Sequence, residues 1–128
     1  MRVLLDTHAL LWLITGDKRL SKTSIKIFLN TDNRLYFSII SLWEICIKKS
    51  LDKISLKNNW LDIIQEEMKT NSIQWLPVEV HHCAKVIELP FYHRDPFDRM
   101  LIAQAMTEDL SILSRDNRFS AYDIKCIW

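Results

Sequence analysis

Four carboxylates in this sequence fall where chemistry could use them: Asp6, Glu44, Asp98 and Asp116. Asp6 directly follows the apolar run Val3-Leu4-Leu5, and Asp116 follows Ile112-Leu113-Ser114 with Arg115 between. Glu44 lies in the first turn of a helical pattern opening at Ser41, and Asp98 in the first turn of one opening at Pro96. Each has a local explanation. Ser41-x-x-Glu44 has the form of a capping box, and Glu44 stands four residues before Lys48, a favourable helix pair. Asp95-Pro96 reads as N-cap and N1 proline, with Asp98 an acid suited to the first turn. Asp116-Asn117 is a common turn pair. Asp6 is the hardest to dismiss, because a charge set against an apolar strand is partly desolvated.

Taken together, the acids need more than local roles. Two carboxylates in close approach repel by roughly 4 kcal/mol at an effective dielectric near 20, whereas capping contributes only about 1 kcal/mol per site. Capping alone would not gather them, and a divalent cation would. Oxygen-only ligands select hard ions such as Mg²⁺ or Mn²⁺, which offset charge in phosphoryl transfer and activate water.

Convergence requires a fold that brings distant segments to one edge. Apolar runs occur at 3–5, 35–40, 73–78, 111–114 and 124–128, and amphipathic helical patterns lie between them. His8–Ile14 is apolar almost all round and is expected to be buried. Ser21–Asn30 sets Ile25, Phe28 and Leu29 opposite Lys22 and Lys26. Ser41–Asp52 carries Trp43, Cys46, Ile47 and Leu51 on one stripe, and Asn58–Lys69 carries Trp60, Leu61, Ile64 and Met68. Val80–Leu89 and Pro96–Glu108 complete the set, the latter with Phe97, Leu101 and Ala105 on one face. Strands apolar on both faces, alternating with helices, predict a three-layer α/β/α sandwich with a mainly parallel sheet. Right-handed crossovers put the strand C-termini on one edge, where such sheets hold their sites. The 128 residues suit one domain spanning 1–128.

Composition narrows the options. Gly16 is the only glycine, so neither G-x-G-x-x-G nor a P-loop can be written, and phosphate chemistry must rest on side chains or metal. A net charge of +1 argues against a polybasic arm and leaves room for a local basic rim. Cys46, Cys83 and Cys126 are odd in number and widely spaced, as expected of free thiols in a reducing compartment. No apolar run approaches a membrane span, and an acid at residue 6 does not suit a signal peptide. A cytoplasmic protein is expected. His81-His82-Cys83 lacks a second Cys/His pair at zinc spacing. His93 is expected at the surface, His8 in a packing or capping role, and Trp12 and Trp43 are candidates to line a groove for a partner peptide.

The acidic segments also resemble a known family. Leu4-Leu5-Asp6-Thr7-His8-Ala9-Leu10-Leu11-Trp12 is similar to the opening motif of PIN-domain proteins, and more narrowly of VapC-type toxins of type II toxin–antitoxin pairs. Ser41-Leu42-Trp43-Glu44-Ile45 resembles their second motif, His93-Arg94-Asp95-Pro96-Phe97-Asp98-Arg99 and the run to Ala105 their third, and Ser114-Arg115-Asp116-x-x-Phe119-x-x-Tyr122 their last. The likeness is weak between Ser50 and Leu89. It implies an active Mg²⁺- or Mn²⁺-dependent endoribonuclease, with Asp6, Glu44, Asp98 and Asp116 as metal-holding and catalytic residues. Asp95 is a rival to Asp98, and its place before Pro96 favours a cap. Thr7, Ser114 and Asp95 are expected to orient the ligands. Arg94, Arg99, Arg115 and Arg118 flank the motifs and are expected to grip RNA phosphates. The implied reaction is in-line hydrolysis leaving a 5′-phosphate and a 3′-hydroxyl. The implied partners are RNA, a cognate antitoxin that places a basic side chain among the acids, and a second copy of the chain. The alternative is a non-catalytic PIN-like interaction module, which has no need of all four acids. A phosphatase of similar topology would want D-x-D after the first strand, where this chain has Asp6-Thr7-His8.

Overall fold

The computed structural model describes residues 1–128. Five parallel strands form one sheet in the order β3-β2-β1-β4-β5: β1 Arg2–Leu5, β2 Arg34–Ser38, β3 Ile73–Leu76, β4 Ser111–Leu113 and β5 Cys126–Ile127. The central strand shows why the runs read as two-faced. Val3 and Leu5 enter one core with Ala9, Leu10, Ile27, Phe28, Ile45 and Ile64, while Leu4 enters the other with Leu101, Ile102, Ile112 and Phe119. Helices α1 (Thr7–Thr15), α2 (Lys22–Leu29) and α4 (Trp60–Thr70) contribute to the first core, as does Ile45 of α3 (Ile39–Ser50). Helix α6 (Pro96–Thr107) fills the second, with α5 (Val80–Val86) packed against it. The three-layer parallel architecture expected from the sequence is present. No helix is long and apolar enough to cross a membrane.

The strand order fixes where a site can form. From β1 the chain moves outward through β2 to β3, then returns to place β4 on the other side of β1. The crevice beyond the C-terminal ends of β1 and β4 is therefore the topological switch point. Asp6 sits there, its backbone N–H donating to Leu113 O at 3.0 Å.

Several boundaries and faces differ from expectation. Ile39 and Ile40 belong to α3 and not to β2, because Ser38 ends the strand. Its hydroxyl accepts the Ile40 N–H at 3.0 Å and donates to Gln104 Oε1 at 2.6 Å. Ser38 is thus the cap, Ser41 lies inside the helix, and the expected Ser41–Glu44 capping box does not form. Glu44 is accordingly one turn further in and points inward with Ser41 and Ile45. Of the apolar stripe Trp43, Cys46, Ile47 and Leu51, only Ile47 is partly buried and the other three are exposed. In α2 the buried side chains are Ser24, Ile27 and Phe28, while Ile25 and Leu29 face out. In α1 only Thr7, Ala9 and Leu10 are fully buried.

Gly16 ends α1 in the left-handed region at φ +63°. Its N–H reaches Leu13 O, and the Asp17 N–H reaches Trp12 O at 3.0 Å, which turns the chain back over the last turn of the helix. A β-carbon at Gly16 would meet nothing within 4 Å. Only backbone strain therefore opposes a side chain, and Gly16→Ala is expected to cost about 1–2 kcal/mol in urea unfolding. A loss below a few tenths would contradict this account.

Candidate active site

Asp6, Glu44, Asp98 and Asp116 all line one cavity of about 540 Å³, together with Thr7, His8, Trp12, Arg19, Lys48, Asp95, Arg115 and Arg118. The acids come from four separate segments, and the switch-point crevice gathers them. Asp6 caps α1 by accepting the His8 N–H at 2.8 Å, and its second oxygen accepts the Ser114 hydroxyl at 2.5 Å. Glu44 accepts from Thr7 Oγ1 at 2.8 Å and from Lys48 Nζ at 2.9 Å. Asp116 carries a fork from Arg118: Oδ1 accepts Nε and the backbone N–H, and Oδ2 accepts Nη2 at 2.8 Å.

Asp98 differs from the other three. Asp95, and not Asp98, caps α6, accepting the N–H groups of Phe97 at 2.8 Å and Asp98 at 3.1 Å. The Asp98 carboxylate is left facing other acids with no donor of its own. Burial, then the charges of Asp95, Asp6, Glu44 and Asp116, push its pKa up to about 7. Asp6 is also raised, chiefly by burial, against the pull of the Ser114 hydrogen bond. Asp116 is held down to about 2, first by the Arg118 hydrogen bond. The cavity thus holds uncompensated negative oxygens that a divalent cation would satisfy. Its donors are carboxylates, the chemistry of a hard ion such as magnesium or manganese, so the residues present fit such an ion.

The four expected arginines separate. Arg115 and Arg118 line the acidic cavity. Arg94 does not: it lines a separate, mostly apolar depression with Phe91, Pro96 and Met100. Arg99 is buried, with its donors turned to backbone carbonyls. Its Nη1 donates to the carbonyls of Pro90 and His93, its Nη2 to those of Val86 and Leu89, and its guanidinium lies 4.0 Å from the Phe91 ring centre. That side chain ties the loop between α5 and α6 to the helix that carries Asp98.

His93 is likewise not at the surface. It is 2% exposed, its ring stacks on Phe119 at 4.7 Å, and Nε2 lies 3.2 Å from Asp116 Oδ2. Nδ1 is buried without a partner. The neutral ring with its proton on Nε2 suits both observations, donating to the carboxylate and leaving no buried N–H unpaired. His8 is exposed and within 3.8 Å of Asp6. His93 groups with Asp98 and Asp116, their ligand atoms within 4.8 Å of one another, while a second cluster, His81, His82 and Glu108, lies outside the cavity. There His82 Nδ1 accepts the Glu79 N–H at 2.9 Å, so the proton sits on Nε2 facing Glu108, and no lone pair is left toward a metal.

Sequence reasoning missed Arg19 and the burial of His93; the Glu44–Lys48 helix pair it expected is present at 2.9 Å, at the edge of the cavity. Arg19 had a visible signal, since Asp17-x-Arg19 repeats the spacing of Asp116-x-Arg118. His93 had only its place before Arg94-Asp95-Pro96, which says nothing of burial.

A family model described as the PIN domain matches residues 3–125. No curated protein sequence matches the chain. Solved structures of like fold include VapBC2 from Rickettsia felis bound to a promoter DNA fragment, 13% identical, covering 99% of this chain and 98% of that one with a TM-score of 0.73. DNA-bound VapBC from Salmonella typhimurium is 16% identical over 99% and 97%, with a TM-score of 0.67. FitAcB from Neisseria gonorrhoeae is 18% identical over 98% and 96%, with a TM-score of 0.63.

Proposed function

The chain belongs to the PIN-domain family, and from that premise we propose that it is a metal-dependent endoribonuclease and the toxin of a type II toxin–antitoxin pair. The observation that carries the enzymatic part is Asp98, a carboxylate without a donor among four other acids, its pKa raised to about 7. A module that only bound protein would gain nothing from maintaining that repulsion.

In this reading Asp6, Glu44, Asp98 and Asp116 hold magnesium or manganese and are the catalytic residues. The ion would offset phosphate charge and make an attacking water more acidic. Ser114 and Thr7 fix the directions of the Asp6 and Glu44 oxygens, and Asp95 sets the start of α6 and so the position of Asp98. Arg115 and Arg118 contact phosphates on either side of the bond that is cut. Lys48 already balances one Glu44 oxygen, so fewer charges remain for the ion to satisfy. The toxin role with a cognate antitoxin is supported by the VapBC and toxin–antitoxin complexes of like fold; a homodimer and a cytoplasmic setting are part of the same proposal.

Incubating RNA with the purified protein in Mn²⁺, and in Mn²⁺ with excess chelator, tests the enzymatic part. Cleavage is expected only with free metal. Saturating Mn²⁺, at about 100 times its Kd, is expected to add about 2.7 kcal/mol of stability, or roughly 10 °C in Tm. Cleavage that survives chelation, or a Tm indifferent to Mn²⁺, would sink the proposal.

A further inference from the structure

Arg19 is built into the rim of the acidic cavity in a way that surface arginines ordinarily are not. Gly16 stops α1 and turns the chain, and that turn lays Arg19 back over Trp12, with its guanidinium carbon 4.6 Å from the ring centre. Asp17 then grips the same guanidinium edge-on, Oδ1 accepting Nε at 3.1 Å and Oδ2 accepting Nη2 at 2.8 Å. The Asp17 Oδ1 also accepts the Arg19 backbone N–H at 2.9 Å, so the turn itself is pinned. Trp12 is in turn braced by Trp128, edge to face at 5.6 Å. One face and one edge of the guanidinium are thus fixed by the protein.

What remains free is what a nucleotide can use. An arginine has five N–H groups, and Asp17 takes two of the side-chain donors. The other three are left for a phosphate. The outer face of the plane is available to an unpaired base, since bases stack on guanidinium planes as they do on aromatic rings. The Arg19 side chain is 56% exposed, while Asp6 and Glu44 on the cavity floor are 14% and 10% exposed. A strand held at the rim must therefore bend inward to reach the acids. Arg118 makes an equivalent fork, but on Asp116, one of the acids assigned to the metal. Arg19 alone of the two grips a carboxylate outside that set, so it need not move when an ion enters.

We propose that Arg19, preset by Asp17 and Trp12, is a binding subsite for an unpaired nucleotide of single-stranded RNA next to the scissile phosphate. This rests on the nuclease reading above and adds a residue at the cavity rim that holds the strand beside the bond that is cut. A base in a duplex is already stacked on both sides and cannot lie on the guanidinium face, so duplex RNA of the same sequence loses this contact.

Steady-state cleavage of a fluorophore-labelled single-stranded RNA in Mn²⁺ tests it, with wild type, Arg19→Ala, Arg19→Lys and Asp17→Asn compared across a salt series. Arg19→Ala is expected to raise KM about tenfold with little change in kcat, and to lower the log–log salt slope of kcat/KM by about one. Arg19→Lys should keep the salt slope and still raise KM, because an ammonium has no plane to stack on. Asp17→Asn should fall between. The Mn²⁺-induced rise in Tm should be the same in all four proteins, which separates a substrate role from damage to the acids or the fold. Wild-type cleavage with an Arg19→Ala protein of unchanged KM and salt slope overturns the subsite and leaves the nuclease reading standing. Equal KM for the duplex and the single strand overturns the strandedness. A wild type that neither cuts RNA nor responds to Mn²⁺ overturns both readings.

Discussion

An Asp98→Asn protein is expected to be more heat-stable than wild type without metal, and to have lost RNA cleavage by at least about a hundredfold. The two effects share one cause. Asp98 has no donor and faces Asp95, Asp6, Glu44 and Asp116, so its ionised form is disfavoured and its pKa stands at about 7 against an ordinary 3.8. A carboxyl raised in the folded state favours folding while it stays protonated. Its contribution is complete below about pH 4 and is lost as pH rises through about 7. Asp6, also raised, acts in the same direction. Asp116 acts oppositely, but only as pH falls toward about 2, well below that window. Metal-free wild type should therefore melt lower at pH 8 than at pH 5. Asparagine is of similar size and carries no charge, so Asp98→Asn should remove much of that difference, gaining several degrees at pH 8 and little at pH 5.

Metal reverses the sign. An ion needs Asp98 ionised, so binding releases a proton near neutrality and tightens as pH rises through about 7. The Mn²⁺-induced rise in Tm should grow from pH 6 to pH 8 in wild type and be small at both in Asp98→Asn. The loss of cleavage is set against a scale on which even partners of metal ligands cost about 10–100-fold when removed. Calorimetry with and without Mn²⁺ at the two pH values, and cleavage assays beside it, check all of this. Equal pH dependence in the two metal-free proteins would show that Asp98 does not carry the repulsion.

What the sequence made legible follows from what periodicity can encode. Val3-Leu4-Leu5 and Ile112-Leu113 are apolar on both faces, and both are buried central strands. Once the sheet is parallel, Asp6 and Asp116 must share an edge, and the structure places them in one cavity. Helix faces were read less well. In α3 the polar residues Ser41 and Glu44 are buried and Trp43 is exposed, the reverse of the rule that apolar stripes face inward. The reversal follows from the site, which turns Glu44 toward Thr7 and Asp6. Ser38 and Ser41 both satisfy the local requirement for a cap, and the choice between them was made by Gln104, distant in sequence. The same limit applied to the arginines. Arg94, Arg99, Arg115 and Arg118 have like sequence settings, yet Arg99 is buried because its position on α6 directs it beneath a loop whose carbonyls converge on it.

That burial makes Arg99 the position where a single substitution should damage the fold most. Its guanidinium accounts for the carbonyls of Val86, Leu89, Pro90 and His93, and these close the loop that leads into Asp95 and α6. Hydrogen bonds to a charged donor are each worth about 1.5–3 kcal/mol; Val86 O and Pro90 O would keep the Leu89 N–H and the Tyr122 hydroxyl, whereas the buried carbonyls of Leu89 and His93 would lose their partner and add to the loss. Arg99→Met keeps the apolar stem and removes every donor, so it is expected to cost roughly 3–5 kcal/mol, or about 10–20 °C in Tm. Arg99→Lys keeps the charge, but three donors on a point cannot serve four carbonyls spread around a plane, and it should recover less than half of that loss. Because His93 O is one of the four, loosening the loop should also free His93 from Asp116. Hydrogen exchange across 86–95 should therefore rise in Arg99→Lys at a temperature where the sheet remains protected. A role for Arg99 in holding RNA makes a different prediction: a raised KM with unchanged Tm and unchanged exchange. Those measurements decide between a brace for the loop and a grip on substrate.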